Sequence, residues 1–334
     1  MSENKSESKK LALLYLRDLF LERTDKTHYV RMPEILDYLA ERNVFVDRRT
    51  VYTDISILNQ AGFEIVGVAE KGGYKYHHPC RLFDTAELKF LIDSIAASKF
   101  LTEKKSKELI TKAKTLGSSF DSSALNRGVL SPKRIKSMND KVFKNLDLLY
   151  ASISSNSQIT FQYMRWNTQR KLEPLRSGKL FSASPWAVSL SDDNYYLVAF
   201  DSRTNSIRHY RIDKMHSIKL VEEPRAGKDV FKTFDIVDYS RKTFGMFAGK
   251  EETITIEAAS HLIGVFIDRF GEAASIRKNF ENPDTVFVKV AVNVSPQFYG
   301  WLFGLGKDVT IVSPLSVKEE FINTVNSILS NYNP

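Results

Sequence analysis

The chain contains 334 residues, of which 43% are hydrophobic, and it carries a net charge of +8. This length predicts two to four domains, each with enough apolar residues to bury a core. No run of about 18 apolar residues is present to cross a bilayer, and the polar start of the chain lacks the apolar core of a signal peptide. A single cysteine, Cys80, excludes an internal disulfide framework. These features predict a cytoplasmic protein.

Basic residues are concentrated in the middle of the chain. Residues 141–226 contain 13 Lys and Arg against 8 Asp and Glu, whereas residues 227–334 contain 11 against 13. The excess predicts an anionic partner for the middle segment. A solvated basic surface explains an excess of this size equally well.

The first eight residues are polar and are predicted to be a disordered tail. Three helices follow, because apolar residues recur at helical spacing. They cover residues 9–23, 32–42 and 47–61. Asp47 can cap the third helix, and Gly62 can end it with a positive φ. Two helices, a short turn and a third helix predict a helix-turn-helix.

Two predicted strands, residues 63–68 and 74–78, stand directly behind the third helix as a wing would. The stretch from Asp47 to Ile55, with this hairpin, resembles the winged helix-turn-helix of DeoR-like regulators. The resemblance implies a domain over residues 9–81 that binds double-stranded DNA. The implied DNA contacts are Arg48, Arg49, Thr50, Tyr52, Thr53, Ser56, Lys71 and Tyr74. The alternative is an amphipathic three-helix unit with a hairpin and no DNA.

His77 and His78 are the one pair of neighbouring residues that invites a metal assignment. Adjacent residues on a strand point to opposite faces, so the two rings cannot hold one ion together. No second cysteine and no spaced histidine cluster completes a tetrahedral set. No metal and no cofactor are therefore predicted.

Residues 82–141 are predicted to be a helical connector. Its helices cover residues 84–100, 102–114 and, leading into the next domain, 136–154. Residues 118–134 are rich in serine and are predicted to be irregular.

Three short runs rich in aromatic and β-branched residues follow one another between Ser184 and Asp213, separated by two polar turn clusters. This is the pattern of a β-meander. Aromatic rings beside guanidinium groups on neighbouring strands suit a ligand with a flat ring and a phosphate. The alternative is a small core filled by Tyr and Trp, with Arg and His in water. The residues alone leave both open.

The meander carries three motifs: Ser184-Pro185-Trp186, Tyr195-Tyr196-Leu197 and Arg208-His209-Tyr210-Arg211. This set resembles the WYL domain of bacterial transcription factors, with Tyr in place of the Trp that names the family. The resemblance implies a small Sm-like or SH3-like β-barrel over residues 142–224 that senses nucleic acid or a nucleotide. The implied effector contacts are Tyr163, Ser184, Trp186, Tyr195, Tyr196, Arg208, His209, Tyr210 and Arg211.

The two arginines of the last motif are not expected to act alike. Residues three apart in an extended strand point to opposite faces. Arg208 is therefore predicted to share its face with Tyr210, and Arg211 to share its face with His209. Only the arginine on the ligand side is predicted to hold the phosphate.

Residues 225–252 are charged and irregular and are predicted to be a linker. Beyond them, the order of strands and helices predicts a ferredoxin-like α/β domain over residues 253–334. This segment resembles the WCX extension that follows WYL domains, with Gly300-Trp301-Leu302-Phe303 at the position of its Trp motif. A homodimer is predicted, with residues 253–332 contributing, because the other predicted domains offer no obvious dimer element.

The chain is thus predicted to be a multidomain α+β protein: a transcriptional regulator that binds an operator and responds to a small anionic, nucleotide or oligonucleotide effector. The alternatives are a nucleic-acid-sensing protein that grips single-stranded DNA or RNA in the barrel, and a nucleotide-processing enzyme. Catalysis is not predicted, because the sequence has no Walker-type phosphate loop, no Gly-x-Ser-x-Gly elbow and no His-Glu-x-x-His helix.

Overall fold

The computed structural model describes residues 2–126, 139, 141–232 and 234–332. The chain divides into two compact units, Met1–Met138 and Asn139–Pro334. Helices and antiparallel sheets occur in both, which confirms the predicted mixed α+β class. Within the described ranges, no helix is both long enough and apolar enough to span a bilayer.

The first unit begins with three helices and a small antiparallel sheet. The helices are α1 (Ser2–Arg23), α2 (Met32–Ala40) and α3 (Arg48–Gln60). The strands are β1 (Val30–Arg31), β2 (Val66–Glu70) and β3 (Gly73–His77), in the order β1-β3-β2. Helix α1 begins at Ser2, whereas the predicted helix begins at residue 9, after a tail predicted to be disordered. The first eight residues contain neither Gly nor Pro, so nothing in them stops the helix from extending.

Helix α3 follows its sequence signals closely. The Asp47 side chain accepts a hydrogen bond from the Thr50 N–H at 2.8 Å, which caps the helix, and Gly62 has a φ of +84° just beyond its end. Val51 and Leu58 are buried against α1 and α2. The opposite face of α3 is left exposed.

Three further helices complete the described part of the first unit: α4 (Thr85–Ala97), α5 (Glu103–Lys114) and α6 (Ser119–Asn126). Asp84 and Thr102 cap the first two, close to the predicted starts of these helices. Helix α6 replaces the start of the predicted irregular stretch. Its cap is reciprocal, because the Ser118 Oγ accepts from the Asp121 N–H at 3.1 Å while Asp121 Oδ2 accepts from the Ser118 N–H at 3.0 Å. Two parts of these predictions lie outside the described residues: residues 127–134 of the irregular stretch, and residues 136–138 of the helix predicted over 136–154.

The second unit opens with α7 (Val142–Ser154) and a six-stranded antiparallel sheet. The strands are β4 (Ser157–Trp166), β5 (Leu172–Pro174), β6 (Phe181–Ser191), β7 (Asn194–Asp201), β8 (Ser206–Arg211) and β9 (Met215–Pro224). They pair in the order β5-β4-β6-β7-β8, and β9 pairs with β4. The meander of β6, β7 and β8 is present as predicted.

The sheet is not a closed barrel, which corrects the prediction. Across residues 141–232, β8 pairs only with β7, and no ladder joins β8 to β9. A 3₁₀ turn, Ile212–Lys214, separates these two strands, and the Asn145 side chain holds it by donating to the Ile212 and Met215 carbonyls at 3.2 and 2.8 Å. The Tyr163 hydroxyl, rather than a strand, accepts the hydrogen bond of the Arg211 N–H at 3.1 Å.

The C-terminal part contains β10 (Lys250–Ala259), α10 (Ile263–Phe270), β11 (Ser275–Lys278), β12 (Thr285–Val294), α11 (Pro296–Phe303), β13 (Val309–Ser313) and α12 (Leu315–Ser330). The predicted order of elements is confirmed. Their sheet is antiparallel, with the order β11-β12-β10-β13. The predicted linker contains two short helices, α8 (Lys228–Phe231) and α9 (Ile236–Lys242), the second capped by Asp235.

Candidate functional site

The second unit contains a cavity of about 880 Å³ between its six-stranded sheet and the segment that leads into β10. Strand β8 forms one wall, and residues 245–249 form part of the lining. Tyr163, Tyr196 and the turn after β5 contribute further lining residues. This volume lies within the range of about 300–1,000 Å³ that is typical of small-molecule sites.

All six residues of β8, from Ser206 to Arg211, line the cavity. Consecutive residues of a strand point to opposite faces. A continuous run of lining residues therefore means that the cavity follows the edge of the strand. Arg208 and Arg211, which are predicted to point to opposite faces of the strand, both line the cavity, because the side chains of both faces meet it at this edge.

Four cationic side chains line the cavity: Arg176, Arg208, Arg211 and Lys214. Two of them already have carboxylate partners. Arg208 Nε lies 3.3 Å from Asp201 Oδ2, and Arg211 makes two hydrogen bonds to Asp213, at 3.1 and 2.9 Å.

The other two cations are less engaged. Within the part of the chain that the structure describes, neither Arg176 nor Lys214 makes an ion pair. The Arg176 guanidinium lies 4.5 Å from the centroid of the Phe181 ring, which leaves its N–H donors available. An anion in the cavity therefore meets two cations that form no ion pair with a carboxylate of the described residues.

Aromatic rings make the deeper wall. Tyr210 packs edge-on against Phe161 and Tyr163, with ring centroids 5.0 and 5.6 Å apart. Burial raises the pKa of Tyr163 to about 12, so its hydroxyl stays protonated at neutral pH. The Tyr210 hydroxyl is buried and has no hydrogen-bond partner within the described residues, which leaves one polar group of this wall unsatisfied.

His209 is held in its neutral form. Burial lowers its pKa from 6.5 to about 4, against a smaller opposing effect from the ring's hydrogen bond to the Met246 backbone. The ring therefore joins β8 to the segment 245–249 without adding positive charge to the cavity. His209 therefore lies between Arg208 and Arg211 in β8 as an uncharged side chain.

This burial predicts a measurable dependence of stability on pH. The folded-state pKa is depressed, so the stabilising effect of the neutral ring is complete above pH 6.5 and is lost as the pH falls towards 4. Between pH 7 and pH 5 the loss from His209 alone is about 2 kcal/mol. Urea unfolding of the wild type and of His209→Gln at both pH values measures it. An equal pH effect in the two proteins contradicts the assignment, since other titrating groups are common to both.

Ser184 and Trp186 lie away from the cavity, contrary to the prediction. Ser184 is buried, and its Oγ accepts from the Ala226 N–H at 2.9 Å. Trp186 donates from Nε1 to the Ala226 carbonyl at 2.8 Å and stacks on Phe231, with centroids 4.9 Å apart. The two residues hold the segment after β9 against the sheet. Tyr195 also does not line the cavity.

Sequence reasoning missed Arg176, Lys214 and the segment 245–249. Arg176 adopts a φ of +54° in a turn after β5. That turn points it back to the cavity. The glycines Gly245 and Gly249 were a sequence signal that the backbone of this segment approaches another part of the chain closely. An ideal Cβ on Gly249 would stand 1.9 Å from the Val294 carbonyl oxygen.

The predicted DNA-contacting residues are almost all exposed. On α3, Arg48, Arg49, Tyr52, Thr53 and Ser56 are exposed, and Thr50 is half-buried. Lys71 and Tyr74 are exposed at the turn between β2 and β3. The Tyr52 and Tyr76 hydroxyls are hydrogen-bonded, which links the exposed face of α3 to the hairpin.

The paired histidines are structural. His77 Nδ1 donates to the Asp25 carbonyl at 2.8 Å, and His78 Nδ1 donates to the Glu64 carbonyl at 2.6 Å. Both rings are buried. Among the described residues there is no group of three His, Cys, Asp or Glu side chains that could hold a metal ion.

The two halves of the second unit match known domain families. Residues 144–220 match the WYL domain, and residues 251–329 match the WCX domain. Most residues that line the cavity thus belong to the region that matches the WYL domain. The lining segment 245–249 lies between the two matched regions. No curated protein matches the chain.

Solved structures give weak overall similarity. The proteasome accessory factor B/C (PafBC) of Arthrobacter aurescens is 14% identical with a TM-score of 0.29, over 98% of this chain and 49% of that one. A CRISPR Cas-related protein is 13% identical with a TM-score of 0.34, over 89% of this chain and 77% of that one. This chain therefore spans about half the length of the PafBC chain.

Proposed function

We propose that this protein is a DNA-binding transcriptional regulator whose WYL domain binds a nucleotide or a similar anionic effector. The observation that carries the proposal is the 880 Å³ cavity, in which four cations stand beside aromatic rings. Phosphate groups suit Arg176 and Lys214, because guanidinium and ammonium groups form charge-assisted hydrogen bonds to phosphate oxygens. A base suits the partly exposed rings of Tyr196 and Phe247.

The proposed DNA-binding element is the first part of the first unit. Helices α1 to α3 followed by the β2–β3 hairpin are read as a winged helix-turn-helix over residues 9–81, with α3 in the major groove. Its exposed N-terminal end carries Arg48 and Arg49, which suits contact with bases and phosphates. The remaining proposed parts are the connector over residues 82–141, a WYL sensor domain with an open sheet over residues 142–224, a linker over 225–252 and a ferredoxin-like WCX domain over 253–334.

The proposal includes a cytoplasmic homodimer. Two copies present two reading helices to two half-sites, roughly 34 Å or a multiple of it apart on the duplex. The WCX domain is the proposed contributor to the dimer. Non-enzymatic sensing is preferred over turnover, because the cavity offers cations and aromatic rings but no nucleophile paired with a base.

The test measures first whether a ligand changes the melting temperature, and then whether the same ligand changes operator binding. Purified protein is melted with a panel of nucleotides and short single-stranded oligonucleotides, and any stabilising compound is then added to a protein–operator complex. We expect at least one nucleotide to raise the melting temperature and to change operator affinity. Stabilisation by oligonucleotides alone would support single-strand sensing instead. Conversion of a nucleotide to product would place the protein among enzymes.

Operator binding provides the prediction for α3. Arg49→Ala is expected to weaken binding by about 1–3 kcal/mol if Arg49 makes a bidentate contact with a base. Lys104→Ala is the matched control, because Lys104 is an exposed cation on a different helix, α5, and is not one of the predicted DNA contacts. Fluorescence anisotropy at fixed salt measures both variants. Equal binding by Arg49→Ala, Arg48→Ala and the wild type would remove α3 from the DNA-contacting role.

A further inference from the structure

The edge of β8 offers unpaired backbone groups to the cavity. Because the Arg211 N–H donates to the Tyr163 hydroxyl, it points away from β7. Backbone direction alternates along an antiparallel strand, so the N–H and C=O groups of Ile207 and His209 point the same way as those of Arg211. Across residues 141–232 and 234–332, none of these groups makes a backbone hydrogen bond to a further strand.

The register of the neighbouring hairpin supports this direction. Asp192 and Asp193 both have positive φ, which makes a two-residue turn closed by the hydrogen-bonded pair of Ser191 and Asn194. The backbone groups of Asn194 point to β6, and those of Tyr196, two residues further along β7, point the same way. Arg211, the partner of Tyr196, therefore forms a non-hydrogen-bonded pair with it. The same holds for His209 opposite Val198 and for Ile207 opposite Phe200.

We infer that this edge reads the nucleobase of the effector by backbone pairing. The Ile207 carbonyl is an acceptor and the His209 N–H is a donor, and both face the cavity. The Watson–Crick edge of each nucleobase carries a neighbouring donor and acceptor that match such a pair. The inference rests on the proposed nucleotide-binding function and assigns one part of the site to the base, while Arg176 and Lys214 take the phosphate.

A base fits this edge better than an added peptide strand does. Among the outward-pointing residues of β8, Ile207 and His209 are the two whose N–H and C=O both lack a backbone partner within the described residues, because the Arg211 N–H already donates to Tyr163. Two residues span about 7 Å of strand, which is roughly the width of one base. The segment 245–249 faces β8 across the cavity, and His209 hydrogen-bonds to Met246 within it. Strand addition needs a longer open edge.

Backbone pairing has a consequence for specificity. A backbone carbonyl and N–H can pair with any base that places a complementary donor and acceptor opposite them. AMP, GMP, CMP and UMP are therefore expected to bind within about tenfold of one another. Ribose 5-phosphate lacks the base and is expected to bind at least tenfold more weakly than UMP, which corresponds to about 1.4 kcal/mol.

Isothermal titration of the full chain with modified nucleotides tests the inference. N3-methyl-UMP cannot donate from its Watson–Crick edge, and it is expected to bind at least tenfold more weakly than UMP. C5-methyl-UMP, which adds the same methyl group elsewhere, is expected to stay within threefold of UMP. Equal affinity for UMP and N3-methyl-UMP overturns the base-reading inference and leaves the proposed function standing. If no nucleotide binds and inorganic phosphate does not bind, both fail.

A protein variant provides a second measurement. His209→Pro removes the N–H that points away from β7 and leaves the ladder bonds to β7 in place, as proline on a free edge does. His209→Ala keeps the N–H and removes only the ring. We expect His209→Ala to bind UMP at least fivefold more tightly than His209→Pro. Equal losses in two folded variants would assign the contact to the ring and overturn the inference, as would tighter binding of an acidic extended peptide than of UMP. If His209→Pro does not fold, the methylated nucleotides decide.

Discussion

Replacing Trp186 by Ala is expected to lower the free energy of unfolding of the second unit by about 3 kcal/mol, near the lower end of values for large-to-small aromatic substitutions. The substitution removes the stack on Phe231, the hydrogen bond to the Ala226 carbonyl and the face beneath the Arg225 guanidinium, 4.1 Å from the ring centroid. Arg225 also donates to the Pro185 carbonyl at 2.8 Å, so the segment after β9 loses several anchors together.

The matched variant is Trp186→Phe, which keeps a ring over Phe231 but loses the Nε1–H donor. It is expected to lower the free energy of unfolding by about 1 kcal/mol. Urea unfolding measures both variants, and a nucleotide that stabilises the wild type should still stabilise them. Normal stability of Trp186→Ala, combined with loss of the nucleotide response, would restore Trp186 to the effector site where its sequence motif had placed it.

The contrast between Trp186 and His209 shows what a motif can predict. Both belong to the set by which the chain resembles WYL domains, and the matched family confirms that resemblance over residues 144–220. The motif identified the right sheet and the right strands. The motif could not distinguish a ring that holds the segment after β9 against the sheet from a ring that faces the cavity. The position of each ring depends on Arg225–Phe231, which follow about 40 residues later and carry no recognisable pattern.

Local signals predicted the first unit well for a related reason. Helix α3 is capped by Asp47, ends at Gly62 and buries Val51 and Leu58, and each of these features depends on neighbours in the sequence. Helix α6 was missed although its cap is equally local. Its Ser118 and Asp121 form a reciprocal cap, but the surrounding serines are also typical of irregular loops.

The cations of the cavity illustrate the limit of arguments from strand periodicity. Alternation predicted that Arg208 and Arg211 lie on opposite faces, which is a sound inference for a strand inside a sheet. β8 is an edge strand, so both arginines reach the cavity. Whether a strand is at the edge depends on the ladders of the whole sheet, and no spacing within β8 encodes it. The ladder of β7 and β8 leaves Asp201 beside Arg208, and the turn after β8 leaves Asp213 beside Arg211.

This pairing changes which arginine should be tested. Reversing Arg208 places a second carboxylate next to Asp201, whose side chain is only 5% exposed, and such a change tests folding rather than ligand binding. Reversing Arg211 creates the same conflict with Asp213. Arg176 is exposed and makes no ion pair with a described residue, so its charge can be reversed without stranding a buried partner.

Arg176→Glu is therefore expected to abolish nucleotide-dependent stabilisation. At a ligand concentration a hundred times its Kd, binding stabilises the wild type by about 2.7 kcal/mol. In the variant, a carboxylate repels the phosphate at the mouth of the cavity, so most of this increment is lost. The stability without ligand should change little, since an exposed arginine contributes little to folding.

Lys179→Glu is the control for this charge reversal, because Lys179 is an exposed cation three residues further along the same turn and does not line the cavity. It changes the net charge of the protein by the same amount, so long-range repulsion of an anionic ligand is equal in the two variants. A full response in Lys179→Glu with none in Arg176→Glu assigns the effect to direct contact with the phosphate. Equal losses in both variants mean that the WYL domain attracts its effector only through overall charge, and then Arg176 has no specific role in the site.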